Sequence, residues 1–223
     1  MNKDLTARET ILNQVRAAIG SHPGVPLQPP PPSARFEPRK AAPLDDETAT
    51  MIREVEKLSG HARRIRGRDE FAAALGELVR EEKIRTAAFS AHPLYAPFGI
   101  EDLLNGFGVE ILPHDGDGRR LVECDLGMTV ADAALPETGT VLLRTMKGQP
   151  DALSLLPRVH LALIAPEALQ ADLHHAFALA KDDRHFVLVS GCSRTADIEK
   201  VLTLGVHGPK SYHLWICDGN HLR

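Results

Sequence analysis

Two short segments bring together residue types that can bind or transform a small anion. In Ser190-Gly191-Cys192-Ser193-Arg194-Thr195 an apolar run, HFVLVSG (185–191), breaks into hydroxyls, a thiol and a guanidinium. The pattern predicts a strand running into a helix that begins near Arg194 or Thr195. Such a junction leaves backbone N–H groups unpaired at the positive end of a helix dipole, which attracts anions. Arg194 would add a planar fork suited to a carboxylate or phosphate. Ser193 and Thr195 also read as ordinary helix caps, with Asp197 and Glu199 favouring a first turn. The second segment is Pro136-Glu137-Thr138-Gly139-Thr140, set between two apolar runs. A carboxylate on a tight turn beside hydroxyls can act as nucleophile or general base. As plain structure the same residues make a β-turn with Glu137 in solvent.

Other chemistries fail on spacing. Gly191-Cys192-Ser193-Arg194-Thr195 lacks the final glycine of a nucleophile elbow. Gly106-Phe107-Gly108 reaches Ile111 where a dinucleotide fingerprint needs glycine. The DGDG run at 115–118 lacks the spacing of a calcium loop. Eleven histidines occur, but none forms HExxH, and adjacent His174 and His175 would point about 100° apart on a helix. His160, His207 and His213 could meet only through the fold, so scattered structural histidines are the reading and no metal site is expected. Cys124, Cys192 and Cys217 form no C-x-x-C pair, so neither a disulfide framework nor an iron–sulfur site is expected in this chain.

These segments need a scaffold, and the pattern supplies one. Thr6 and Glu9 form a capping box for a short amphipathic helix that Gly20 ends. Residues 22–43 hold eight of the sixteen prolines and read as a semi-rigid linker. The expected division is therefore 1–43 for helix and linker, and 44–223 for the main domain. Helices are expected from Asp45 to Gly60 and from Asp69, the latter with Phe71, Leu75, Leu78 and Val79 at helical spacing. Strands are expected at 85–90, 109–112, 160–166, 185–191 and 213–217, with an antiparallel hairpin around 124–145. Helices are read near Ile100–Leu104, across Pro166–Ala180 and from Thr195 to Leu204. Alternating helices and strands imply an α/β fold with a mixed, mostly parallel sheet. Arg63, Arg64, Arg66 and Arg68 are followed at once by Asp69 and Glu70, and read as a solvated face. A net charge of -4 argues against nucleic acid as a partner. The first twenty residues lack a signal peptide's apolar core, and no run reaches the roughly 18 apolar residues of a membrane span. A cytoplasmic location is expected.

The runs ADAALPETGTVLL, LSLLPRVHLALI and SGCSRTADIEKVLTLGVHGPKSYHLWIC resemble the LUD-domain family, in its lactate-utilization C type, in order and spacing. The likeness extends over about 45–219, and its most distinctive stretches are Ser193–Glu199 and Leu204–Pro209. The resemblance implies a NagB/RpiA/CoA-transferase-like fold and a part in oxidising L-lactate to pyruvate. It implies partner subunits that carry iron–sulfur clusters, while this chain carries no cofactor. The family usually has Pro where Cys192 stands, which puts a thiol beside the site. On this reading the chain is an accessory subunit holding an anionic ligand through Gly191, Ser193, Arg194, Thr195, Asp197 and Gly208. Thr138, Gly139 and Thr140 would add hydrogen bonds, with Glu137 or His207 moving a proton. The alternative is a free-standing transferase or ligase that uses Glu137 as nucleophile, as CoA-transferase-like relatives do.

Overall fold

Apolar residues in continuous runs need cover on both sides, and this fold provides it. A computed structural model describes residues 6–20, 39–113, 119–145, 148–181, 185–196 and 202–218. The chain divides by contacts into two units, Met1–Glu37 and Pro38–Arg223. The first contains helix α1 (Ala7–Gly20). Its capping box forms as expected: the Thr6 N–H donates to Glu9 Oε2 at 2.9 Å and the Glu9 N–H to Thr6 Oγ1 at 3.3 Å.

In the second unit the described elements run α2 (Leu44–Lys57), β1 (His61–Ile65), α3 (Arg68–Glu81), β2 (Thr86–Phe89), α4 (Ile100–Gly106) and β3 (Glu110–Ile111). They continue with β4 (Leu126–Val130), β5 (Ala133–Leu135), β6 (Thr140–Arg144), α5 (Ala152–Leu155), β7 (Val159–Ile164) and α6 (Leu173–Ala180). The last are β8 (Phe186–Val189), β9 (Arg194–Ala196), β10 (Leu202–Leu204) and β11 (Ser211–Cys217). Six strands form one parallel sheet in the order β1-β11-β7-β4-β2-β3. Strand alternation sorts their side chains between two cores. Leu126, Met128, Leu161, Leu163 and Trp215 pack with Phe71, Leu75 and Leu104 of α3 and α4. Ala162, Ile164, Leu214 and Ile216 pack with Met51 and Val55 of α2 and with Val141 and Leu143 of β6.

β6 belongs to a second, antiparallel sheet in the order β5-β6-β8. Its opposite face, with Ala133, Leu135 and Leu142, is covered by Ala176 and Ala180 of α6. The mixed α/β fold, the helices on the sheet and the hairpin within 124–145 agree with the sequence. The helix expected across Pro166–Ala180 begins only at Leu173, after a single 3-10 turn at Pro166–Ala168, and three further details differ. The 185–191 run joins the antiparallel sheet, not the parallel one, and is partly exposed. β1 was hidden by its arginines: as an edge strand it turns Arg63 over the Trp215 ring (5.8 Å to the centroid) and into an ion pair with Glu77 at 2.7 Å. The helix expected from Thr195 is absent at its start, because Arg194–Ala196 pairs antiparallel with Leu202–Leu204. β-branched Thr195 faces Thr203 in that hairpin, a pairing that favours a strand over a helix.

Candidate functional site

The two segments singled out in the sequence meet directly. Thr140 and Ser190 are cross-strand neighbours at the ends of β6 and β8, and their Oγ atoms lie 2.7 Å apart. Thr138 Oγ1 donates to Thr140 Oγ1 at 2.8 Å, so a chain of three hydroxyls runs from Thr138 through buried Thr140, 6% exposed, to Ser190 at the surface. Both loops press against the last turn of α2. Gly139 has φ +60°, and a Cβ there would lie 2.9 Å from the Val55 nitrogen; only glycine combines that conformation with that approach. Gly191 has φ +84°, and a Cβ there would lie 3.1 Å from Leu58.

Beyond Gly191 the chain crosses Ser59. Cys192 Sγ donates to the Ser59 carbonyl at 3.4 Å, and Arg194 Nη2 lies 3.5 Å from Ser59 Oγ. Ser59 is a non-glycine residue at φ +60°, a conformation that costs about 1 kcal/mol or more and persists only where its surroundings enforce it. The Ser193 N–H donates to the Pro209 carbonyl, and the Gly205 N–H to that of Ser193, both at 3.0 Å. A Cβ on Gly208 would come within 3.1 Å of Ser193 Cβ, so Gly208 admits the serine. Burial raises the Cys192 thiol pKa, a shift that nearby Arg194 opposes. A raised pKa favours the protonated thiol over the nucleophilic thiolate.

Several expected roles change. Among the described residues no helix N-terminus stands behind Arg194, where β9 begins instead. The helix end at the site is the C-terminus of α2, whose dipole disfavours anions, so any anion would depend on the Arg194 guanidinium. Arg194 and Thr195 are successive strand residues and project to opposite sides of the hairpin, so they do not converge on one ligand. The loop also lies at the wrong edge for the usual α/β ligand position. It packs on the residues leading into β1 and β11, at the amino ends of those strands, rather than on the carboxyl ends. His207 is exposed in the bend after β10, and no contact among the described residues joins it to Glu137. Asp197 lies outside the described residues.

Glu137 is 59% exposed and pairs with Arg39 at 3.3 Å. That arginine carried no signal inside its proline-rich stretch, yet it ties the turn to α2. It donates to both oxygens of Glu47 at 2.8 and 3.0 Å and to the Ala171 carbonyl at 2.7 Å. Its hydrogen bonds hold the Glu47 carboxyl below the usual carboxylate range. Ser59, too, was invisible beforehand, since only the fold brings a helix end to this loop.

At the carboxyl ends of β2 and β4 a different group collects. Ser90 Oγ bonds the Tyr95 hydroxyl at 3.2 Å, Gln149 accepts from the Val130 N–H at 3.2 Å, and Asp132 holds Arg144 at 2.8 Å. A cleft of about 300 Å³ opens beside the end of β2, with Glu101 and Asp102 on its wall; those acids repel an anionic ligand. Among the described residues no three His, Cys, Asp or Glu side chains converge as a metal site, and no helix is long and apolar enough to cross a membrane.

A parallel sheet backed by helices on one face, and by α2 with an antiparallel sheet on the other, defines the class as α/β. A DUF162 family protein of Deinococcus radiodurans has this fold: its crystal structure matches with a TM-score of 0.60 at 16% identity, over 79% of this chain and 99% of that one. The LUD domain family model matches residues 49–216, and the chain belongs to that family. It is 30% identical to a lactate utilization protein C of Halalkalibacterium halodurans, over 91% of this chain and 94% of that protein. A second lactate utilization protein C, of Oceanobacillus iheyensis, is 25% identical over 95% of this chain and 98% of its own.

Proposed function

We propose that this chain serves lactate utilization as a cytoplasmic accessory subunit, working beside iron–sulfur proteins that oxidise L-lactate to pyruvate. Its relatives over nearly full length carry the name lactate utilization protein C. The observation that carries a ligand-binding role is the 2.7 Å contact between Thr140 and Ser190, which joins the two segments singled out in the sequence into one surface. On this reading Arg194 clamps the carboxylate of a small anion and Ser193 and the Thr138–Thr140–Ser190 hydroxyls bond its polar atoms. Thr195, Gly139, Gly191 and Gly208 shape the backbone around it. Electron transfer needs a cofactor, and that step falls to the partners. The transferase alternative would rest on Glu137, whose carboxylate is 59% exposed and pairs with Arg39 at 3.3 Å.

The test is affinity purification of the tagged chain from its native cells, with the eluate assayed for iron and for L-lactate-dependent dye reduction. Iron-bearing partners and lactate activity are expected. Arg194→Ala should keep the complex and lower the activity at least about tenfold, the loss of one charge-assisted contact. A chain that purifies alone, without iron and inert towards lactate, overturns the accessory-subunit reading. An Arg194→Ala complex with full activity overturns the clamp alone. Acylation of Glu137 by acyl-CoA, detected by mass spectrometry, would instead establish a transferase.

A further inference from the structure

The six- and three-stranded sheets have four edges, and they are finished differently. β1 carries Arg63 and Arg64, ion-paired to Glu77 and Asp218. β3 is two residues long. The outer edge of β5 is met by chain: Leu169 bridges Ala134, and the Gln170 N–H donates to the Ala134 carbonyl at 2.7 Å. β8 ends the order β5-β6-β8, and among the described residues no strand lies beyond it. Its sequence, Phe186-Val187-Leu188-Val189, contains no charge and no proline. Charge, shortness and cover are the usual guards of a free edge, whose unpaired backbone groups are a template for another strand. Among the described residues β8 has neither charge nor cover, and at four residues it is twice the length of β3.

The ladder shows which groups face outward. The Thr145 N–H donates to the His185 carbonyl at 3.2 Å, and hydrogen-bonded and non-bonded pairs alternate along antiparallel strands. Val187 and Val189, paired with Leu143 and Val141, therefore turn their backbone groups to β6. Phe186 and Leu188 turn theirs away, leaving two N–H and two C=O groups on the edge. Leu188 is 40% exposed. Phe177 of α6, also 40% exposed, lies against Phe186 with ring centroids 5.5 Å apart. Leu173, one turn before Phe177, extends the exposed apolar surface along that helix.

We propose that two copies of this chain associate through β8, edge to edge about a two-fold axis, so that two three-stranded sheets become one of six strands. A second copy fits this edge because an uncharged apolar strand is complementary to itself, and a two-fold contact requires that self-complementarity. An axis through Val187 sets Phe186 opposite Leu188 of the second copy, and does so twice. These are the residues whose backbone groups face outward, so the two pairs form four N–H···O=C bonds and leave none of those groups over. Each pair also places an aromatic ring beside a leucine, a favourable cross-strand combination. A strand bearing charges would find no counter-charge on β8. The inference does not depend on the ligand reading above.

Sedimentation velocity of the full chain across a wide concentration range tests it, with dimer expected at the higher concentrations. Leu188→Lys puts like charges beside the axis and should raise the dimer dissociation constant at least about tenfold, with the circular dichroism unchanged and the melting temperature unchanged at concentrations where both forms are monomeric. Hydrogen exchange supplies a second readout: the Phe186 and Leu188 amides should gain protection with concentration, and Leu188→Lys should erase that gain. A chain that stays monomeric, or a dimer indifferent to Leu188→Lys, overturns the proposal. Protection that appears only when a different protein is added also overturns self-pairing, and assigns the edge to that partner.

Discussion

β7 reads VHLALI and β8 reads FVLV, and these similar strands lie in opposite environments. Each residue of β7 is buried, between α3 and α4 on one side and α2 with the antiparallel sheet on the other. Among the described residues β8 has a neighbouring strand on one edge, and none of its residues is fully buried. Closely packed interiors transmit every change of volume, whereas a half-covered strand can tolerate change and present groups to other molecules. The parallel sheet is therefore where stability is concentrated. The antiparallel sheet and its loops hold the hydroxyls, Arg194 and the open edge.

Mutations and pH can break or sharpen that contrast. The largest effect is expected from Trp215→Ala on β11, which removes a fully buried ring packed edge-on to Phe71 at 5.1 Å. A loss of about 3–5 kcal/mol is expected in urea unfolding; a loss under about 1 kcal/mol would end the assignment of stability to this sheet.

Acid is the next probe. His160 is buried and bonded to Thr129 Oγ1 at 2.8 Å, and burial pushes its pKa down to about 3. Burial, aided by the neighbouring His61, pushes His213 down to about 4. Both are neutral in the native protein and take up protons near pH 6.5 when unfolded. Their contribution is therefore complete above about pH 6.5, and it is lost as pH falls towards 4 and 3. Between pH 7 and 5 each should cost about 2 kcal/mol of stability. His160→Gln should flatten that slope by about half; an unchanged slope would show that His160 is not kept neutral.

Smaller effects belong to the second region. Thr140→Val keeps the shape and removes the hydroxyl between Thr138 and Ser190, and about 1 kcal/mol is expected. A penalty like that of Trp215→Ala would place Thr140 in the structural core instead. Arg194→Ala, which loses a surface contact at 3.5 Å, should change thermal stability by less than about 0.5 kcal/mol. A larger drop would make Arg194 a structural residue and weaken its part as a clamp.

Much of the architecture was legible because it rests on local patterns. Thr6 and Glu9 announced a capping box, Pro136 and Gly139 a turn, and the apolar runs at 160–166 and 213–217 buried strands. β1 was missed because an edge strand needs no apolar alternation when its arginines find partners in α3 and at Asp218. The Arg194–Ala196 strand was missed because SRTAD carries helix-cap residues, and only pairing with Leu202–Leu204 decides otherwise.

By itself the sequence determined the α/β class, the family and the two segments that meet at the candidate site. The class and the two segments follow from periodicity and turn chemistry, and the family from the resemblance of whole motifs to the LUD domain, all of them carried by residues close together in the chain. The tertiary structure alone decided that β8 leaves the parallel sheet and that Arg39 holds Glu137. It also set α2's C-terminus, rather than a helix N-terminus, behind Gly191. Each of those facts joins residues far apart in the chain, where the choice of partner is made by packing and not by local propensity.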